Sequence, residues 1–314
     1  MNALSDSRCV VLGGGGFIGT NLCRSLVGKV HTLRAFGRRQ SFPDALKDVD
    51  WIPGDFTDAS AVAGALTGCD TVFHLVTATT PASSNVDKVG DVRSNVIATL
   101  QLLDACKELG VKRVIFVSSG GTIYGIPETV PTPEDAPLNP ITAYGISKLS
   151  IEKYLALYEH LYGIEYRVLR VANPYGPYQT ALRNQGVIAA FVHRALGRKP
   201  IEIWGDGTVT RDYVYIDDVV EALELAAEHS GKERVFNIGS GEGRSLNEII
   251  ANLEQQLGQA LEVNRREGRA VDVPRSVLDV SRAAEDLGWR PRTCFSEGLA
   301  HTLRWYKGLG HHQS

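Results

Sequence analysis

Arg8-Cys-Val-Val-Leu12 reads as a short buried strand. Gly13-Gly-Gly-Gly-Phe-Ile-Gly19 follows directly, and Leu22, Cys23, Leu26 and Val27 then recur at helical spacing. Strand, glycine turn and helix in that order form a seat for a dinucleotide pyrophosphate. Gly13 would make the tight turn, Gly16 would let the backbone approach the phosphates, and Gly19 would let helix and strand pack closely. The helix N-terminus adds unpaired N–H groups and the positive end of its dipole. The spacing is Gly-x-x-Gly-x-x-Gly rather than the usual Gly-x-Gly-x-x-Gly.

The pattern then alternates. Strand-like runs at 30–36, 51–56, 71–76, 114–117 and 166–171 are separated by helical runs at 61–66, 92–109 and from 143 onward. This predicts an α/β chain built on a doubly wound parallel sheet of Rossmann type, with ligands at the carboxyl ends of the strands. The run 30–36 lacks the terminal acid that would hold an adenosine ribose and leads into Gly37-Arg38-Arg39. A nicotinamide cofactor is therefore expected, with NAD and NADP both open. Arg38 and Arg39 suit a 2′-phosphate, and equally a solvated loop. Asp55 lies where a carboxylate could accept a hydrogen bond from adenine N6.

The 314 residues, 43% hydrophobic and 22% charged, suffice for one large domain or two intimate ones. A net charge of −3 without a basic run argues against nucleic acid or an anionic membrane surface as partner. No apolar run approaches the ~20 residues of a membrane span, and the N-terminus lacks a secretory pattern, so a cytoplasmic protein is expected. Cys9, Cys23, Cys69, Cys106 and Cys294 are scattered without metal-type pairing and read as reduced thiols. His311 and His312 read as a frayed tail, and no metal site is expected.

Candidate chemistry gathers in the middle of the chain. Ser118-Ser119-Gly120-Gly121-Thr122 falls at the end of a predicted strand, where a hydroxyl could meet a ligand. Tyr144-x-x-x-Lys148 runs into Leu149, Ile151, Tyr154, Leu155 and Tyr158 at helical spacing, so Tyr144 and Lys148 share one face. A phenol normally ionises near pH ~10. A neighbouring ammonium is expected to lower that value and let Tyr144 act as a base toward a sugar or alcohol hydroxyl. After the sheet, Arg211 precedes a predicted strand and Arg269 lies in the segment Glu267–Asp279, and two arginines there suit a diphosphate.

Taken together, Gly13/Gly16/Gly19, Gly54-Asp55, His74-Leu75, Ser118-Ser119, Tyr144-x-x-x-Lys148, Asn173-Pro-Tyr-Gly176 and Arg211-Asp-Tyr-Val-Tyr-Ile-Asp217 resemble the extended short-chain dehydrogenase/reductases, in particular nucleotide-sugar epimerases of the UDP-galactose 4-epimerase type. The resemblance spans about residues 8–306. It implies Tyr144 as the acid/base, Lys148 as its electrostatic partner and ribose contact, and Ser119 as the third hydroxyl, with Thr122 a second candidate. It places NAD against Gly13, Gly16, Phe17, Ile18 and Gly19, with Arg38, Asp55 and Phe56 toward the adenosine. Leu75, Thr77 and Asn95 complete the cofactor side. It assigns Asn173, Arg211, Arg269 and Asp272 to a UDP-sugar, together with Ser119 and Tyr144. The family's retention of NAD through the cycle favours NAD here despite the missing acid. The dinucleotide-binding domain would comprise 1–173 with about 214–240. A smaller α/β nucleotide-sugar-binding domain would comprise 174–213 and 241–314. A homodimer is expected by the same resemblance, through the 92–109 and Tyr144 helices.

The rivals are a 4,6-dehydratase or decarboxylase, a simple reductase, and a non-catalytic NAD(P)-sensing relative. Similar dehydratases carry Asp-Glu after the hydroxyl residue, where this chain has Gly120-Gly121; sensing relatives usually lose the Tyr or the Lys. In similar 4-epimerases a position three residues before the Asp of an Asp-x-Ser-Arg-like segment gates the sugar's C2 substituent. Here that segment is Asp279-Val-Ser-Arg282 and the gate falls at Ser276. Serine leaves room where tyrosine would not, so UDP-GlcNAc and UDP-GalNAc are the expected substrates.

Overall fold

The computed structural model describes residues 4–180, 186–267 and 273–310. Strand β1 (Arg8–Leu12) is buried at every position but its first, and β4 (Thr71–His74) at all of its positions. Apolar runs buried on both faces belong to the interior of a parallel sheet covered by helices on either side. The seven-stranded sheet has the order β10-β6-β5-β4-β1-β2-β3, with β2 Thr32–Gly37, β3 Asp50–Pro53, β5 Arg113–Ser119, β6 Glu165–Val171 and β10 Val235–Ile238. Every pairing in it is parallel. The chain winds outward from β1 in one direction and from β4 in the other, so the switch point lies between them. A crevice opens there, at the carboxyl ends of the strands.

Helices α1 (Phe17–Leu26) and α2 (Ala59–Leu66) follow β1 and β3. Two short helices, α3 (Pro81–Ser84) and α4 (Lys88–Asp91), lie between β4 and the run expected to be helical from residue 92. The expected uniform helix 92–109 begins instead as a wide π-turn, Val92–Ile97, before α5 (Ala98–Leu109). One inserted residue in a helix shifts its apolar stripe too little to be read from spacing. Helix α6 (Ala143–Tyr162) carries Tyr144 and Lys148. Its N-cap, Thr142, accepts from the Gly145 N–H, and Gly163 closes it at φ 71°.

A second sheet is formed by β11 (Gly243–Ser245), β9 (Thr210–Tyr215) and β13 (Arg275–Ser276), with β7 (Asn173–Tyr175) also pairing with β9. A third pair joins β8 (Ile201–Trp204) to β12 (Val263–Arg266). Around these lie α7 (Val187–Leu196), α8 (Ile216–Glu228), α9 (Leu246–Leu257), α10 (Ser281–Asp286) and α11 (Phe295–Gly310). Two boundaries bear on function. Strand β5 continues through Ser119, so both serines are strand residues, and Arg211 lies within β9 rather than before it. Among the described residues, no helix is long and apolar enough to cross a membrane.

Candidate active site

The turn after β1 is built from contacts that exclude side chains. Gly13 has φ 87°, a left-handed conformation suited to glycine, and a Cβ on Gly19 would lie 2.2 Å from the Gly13 carbonyl oxygen. Gly15, given no role from sequence, is equally constrained: a Cβ there would lie 2.2 Å from the Arg39 carbonyl oxygen. Gly16 is the N-cap of α1 and offers no side-chain acceptor to the first-turn N–H groups. Those donors stand at the edge of a cavity of about 1220 Å³. An unpaired helix N-terminus beside a glycine wall fits a dinucleotide pyrophosphate.

The cavity runs along the switch point between β1 and β4. Gly13, Gly16, Phe17, Ile18 and Gly19 line one side, and Arg38, Asp55 and Phe56 border it where β2 and β3 end. Thr57 donates to Asp55 from both its N–H (2.9 Å) and its hydroxyl (2.8 Å), and these bonds hold the Asp55 carboxyl below its usual range. Leu75, Thr77 and Ala78 form the next wall and Tyr144 the floor. Beyond Tyr144 the lining continues through Asn173, Tyr175, Gln179, Phe191, Trp204, Arg211 and Tyr213. The sequence reading passed over Gln179, Phe191, Trp204 and Tyr213. Trp204, a large aromatic left 43% exposed just before a tight turn, is the one whose sequence context could have flagged it.

Lys148 is buried under this floor. Its ammonium donates to the Val117 carbonyl oxygen at 2.8 Å, 4.6 Å from the centre of the Phe116 ring. Burial pushes Lys148 down to about 8, against the opposing carboxylates of Glu152 and Asp91. Tyr144 departs from the expected tuning. Burial pushes its phenol up to about 12, Thr77's hydrogen bond draws it down, and the Asp91 charge adds to the rise. Desolvating a phenolate outweighs the one hydrogen bond that favours it.

The two candidate hydroxyls differ in placement. Ser119 ends β5 opposite Val171 and, like Thr122, is absent from the cavity lining. Thr122 packs against the start of α6: a Cβ on Gly145 would lie 2.8 Å from its carbonyl oxygen. The Thr122 hydroxyl is buried without a hydrogen-bond partner, an arrangement that a polar ligand group would complete.

Asn95, expected among the cofactor contacts, instead lies buried behind the wall. Its Oδ1 accepts from the Ala78 N–H at 3.0 Å and its Nδ2 donates to Thr79 at 3.2 Å, so it shapes the 77–80 loop rather than lining the cavity. Asn173 donates to the Asp212 carbonyl oxygen at 2.9 Å, and Arg211 to the Val273 carbonyl oxygen at 2.6 Å; both side chains border the cavity. Ser276 lies across from Arg211 in the β13–β9 register and is not part of the lining. Arg269, Asp272, His311 and His312 lie outside the described residues.

Residues 9–239 match the NAD dependent epimerase/dehydratase family. Over 311 residues the chain is 34% identical to a UDP-glucose 4-epimerase of Mycolicibacterium smegmatis, an alignment covering 96% of this chain and 98% of that protein. The UDP-glucose 4-epimerase of Thermotoga maritima, solved with UDP-glucose, matches with a TM-score of 0.92 at 37% identity, over 96% of this chain and 99% of that one. A UDP-N-acetylglucosamine 4-epimerase of Methanobrevibacter ruminantium, solved with UDP-N-acetylmuramic acid, matches with a TM-score of 0.90 at 28% identity, over 97% and 99% of the two chains. The glycine-walled cavity with Tyr144 at its floor and the match along nearly the whole chain agree: this protein belongs to the NAD dependent epimerase/dehydratase family.

Proposed function

We propose that the protein is a UDP-sugar 4-epimerase. The observation that carries this reading is the position of Tyr144, at the floor of one cavity, between a wall suited to a dinucleotide and a wall carrying Arg211, Asn173 and Trp204. In this reading Tyr144, ionised once charged ligands fill the cavity, takes the proton of the sugar's C4 hydroxyl and later returns it. Lys148 holds a positive charge one helical turn away, and the third hydroxyl is Ser119 or Thr122, both just outside the cavity lining. Bound NAD supplies a hydride acceptor and donor, so that C4 passes through a ketone and is reduced from its opposite face. Arg211 and Asn173, which border the cavity, hold the diphosphate. Trp204 and Tyr213 offer aromatic faces to a planar base. Residues 174–213 and 241–314 form the nucleotide-sugar-binding part.

The Gly120 contacts weigh against elimination. A Cβ there would lie 2.5 Å from Leu278 Cδ1 and 2.9 Å from the Arg170 carbonyl oxygen. The carboxylate that similar dehydratases carry at this point would not fit without moving the backbone.

For substrate, we propose the N-acetylated pair, UDP-GlcNAc and UDP-GalNAc, alongside UDP-glucose and UDP-galactose. The support is the small residue Ser276, which stands outside the lining but directly across from the cavity-lining Arg211. For assembly, we propose a homodimer. Val89, Val92 and Ile97 on one segment and Ile146, Leu157 and Leu161 on α6 are all more than 40% exposed, an apolar surface that a second copy would cover.

Purified protein incubated with each UDP-sugar and no added cofactor tests the reading. Interconversion at C4 without added cofactor is expected, with NAD released on denaturation. Turnover that requires stoichiometric NAD(P)H would replace epimerase by reductase, and released NADP would turn Arg38 and Arg39 into 2′-phosphate ligands. Ser276→Tyr should cost activity on the N-acetylated pair alone. Sedimentation at micromolar concentration showing only monomer would remove the dimer.

A further inference from the structure

Asp91 is fully buried, and among the described residues it forms no ion pair. Its carboxylate is held by donors from three places. Ser147 of α6, which lies between Tyr144 and Lys148 in sequence, donates to Oδ2 at 2.5 Å. The Thr79 hydroxyl, from the loop between the lining residues Ala78 and Thr80, donates to Oδ1, as does Asn95 Nδ2 from the π-turn at 3.0 Å. One buried negative charge therefore ties the helix bearing Tyr144 and Lys148 to the wall that carries Thr77. An unpaired buried carboxylate is costly, and neutral groups could make the same three-way tie more cheaply.

We propose that Asp91 is a positioning residue for the Tyr144–Lys148 pair, one whose charge, and not only its hydrogen bonds, keeps the Lys148 ammonium protonated under the cavity floor. The inference rests on the epimerase reading for its use, but not for its test. The groups facing Lys148 are Tyr144 and Glu152 on its own helix, Asp91 from α4, His74 from β4, and the Phe116 ring and Val117 carbonyl from β5. His74, pushed down to about 3 by burial and then by Lys148, is neutral at working pH. Glu152 is the stronger of the two supporting charges, but its carboxylate is shared with Arg170 at 2.8 Å and Asp91's is not shared with a cation. With burial drawing Lys148 down to about 8, the loss of one supporting charge would bring its midpoint down toward neutral pH.

The test is a direct titration of Lys148 by NMR in protein carrying labelled lysine, its signal assigned by its loss in Lys148→Met. Wild type should titrate near 8. In Asp91→Asn, whose amide can still bond to hydroxyls that turn to accept, the midpoint should fall by about one unit. The alkaline limb of the kcat/KM profile should fall with it. Ser147→Ala removes a tie but keeps the charge; it should lower kcat and leave the Lys148 midpoint in place. A midpoint in Asp91→Asn within a few tenths of a unit of wild type would overturn the proposal. So would an equal fall in Ser147→Ala, since geometry alone would then account for it. Should Asp91→Asn not fold, Asp91→Ser carries the same expectation. A wild type inactive on every UDP-sugar would defeat the epimerase reading and leave this titration still decisive.

Discussion

The Lys148 ammonium lies 5.7 Å from the centre of the Tyr144 ring, one helical turn away, and is turned toward the Val117 carbonyl oxygen. Burial acts on the two residues in opposite directions, raising the phenol to about 12 and lowering the lysine to about 8. Each is pushed toward its neutral form, the phenol further from neutral pH and the lysine to a midpoint close to it.

Tyr144→Phe removes one hydroxyl and keeps the ring. Turnover should fall by at least ~10²-fold, the lower end of what a positioned acid/base contributes. The melting temperature and the amount of co-purifying NAD should stay close to wild type. Retained turnover would move the acid/base role to Thr122 or Ser119.

Lys148→Met should separate activity from stability. Lowering the lysine from 10.5 to about 8 corresponds to a folding cost of about 3 kcal/mol at neutral pH, which the variant escapes. It also leaves the Val117 carbonyl without its donor, at about 1–3 kcal/mol. The two nearly cancel, so denaturant midpoints at pH 7 should be similar while activity collapses. The sign with pH is definite. Between about 8 and 10.5 the folded chain has lost the proton that the unfolded chain still holds. Wild type should therefore gain stability relative to Lys148→Met as pH rises through that window.

Gly19→Ala and Gly121→Ala add the same methyl group to two glycines with opposite surroundings. At Gly19 the Cβ meets a backbone oxygen at 2.2 Å, and at Gly121 nothing lies within 4 Å. Gly19→Ala should lose bound NAD and lower the melting temperature by several degrees, whereas Gly121→Ala should be close to wild type in both. NAD retention after gel filtration and thermal melts measure the difference.

Glu152 and Arg170 form a buried ion pair at 2.8 Å, to which Ser118 and Tyr124 add hydrogen bonds. Glu152→Ala strands a guanidinium that is 4% exposed and should cost about 3–5 kcal/mol. The double variant Glu152→Leu/Arg170→Met should recover much of that loss, because neither charge is then buried alone. Urea unfolding of the single and double variants reads the difference.

The order of strands and helices, the parallel sheet and the family were legible in the chain itself. Buried parallel strands such as Arg8–Leu12 need unbroken apolar runs, and the turn after it admits only glycine at Gly13 and Gly19; both requirements are local and leave their mark in adjacent residues. Tyr144 and Lys148 were legible for the same reason, since helical spacing alone puts them on one face. What only the tertiary structure decided depends on groups far apart in sequence. Spacing predicted a phenol eased by its lysine; burial in the assembled floor reversed the balance for Tyr144. Asn95, expected on the cofactor side, lies in the π-turn and holds the 77–80 loop through the Ala78 N–H. Asp91 drew no attention as one acid in a polar stretch, and its weight comes from Ser147, 56 residues away, closing over it. Desolvation is set by everything packed around a group, and no window of sequence contains that neighbourhood.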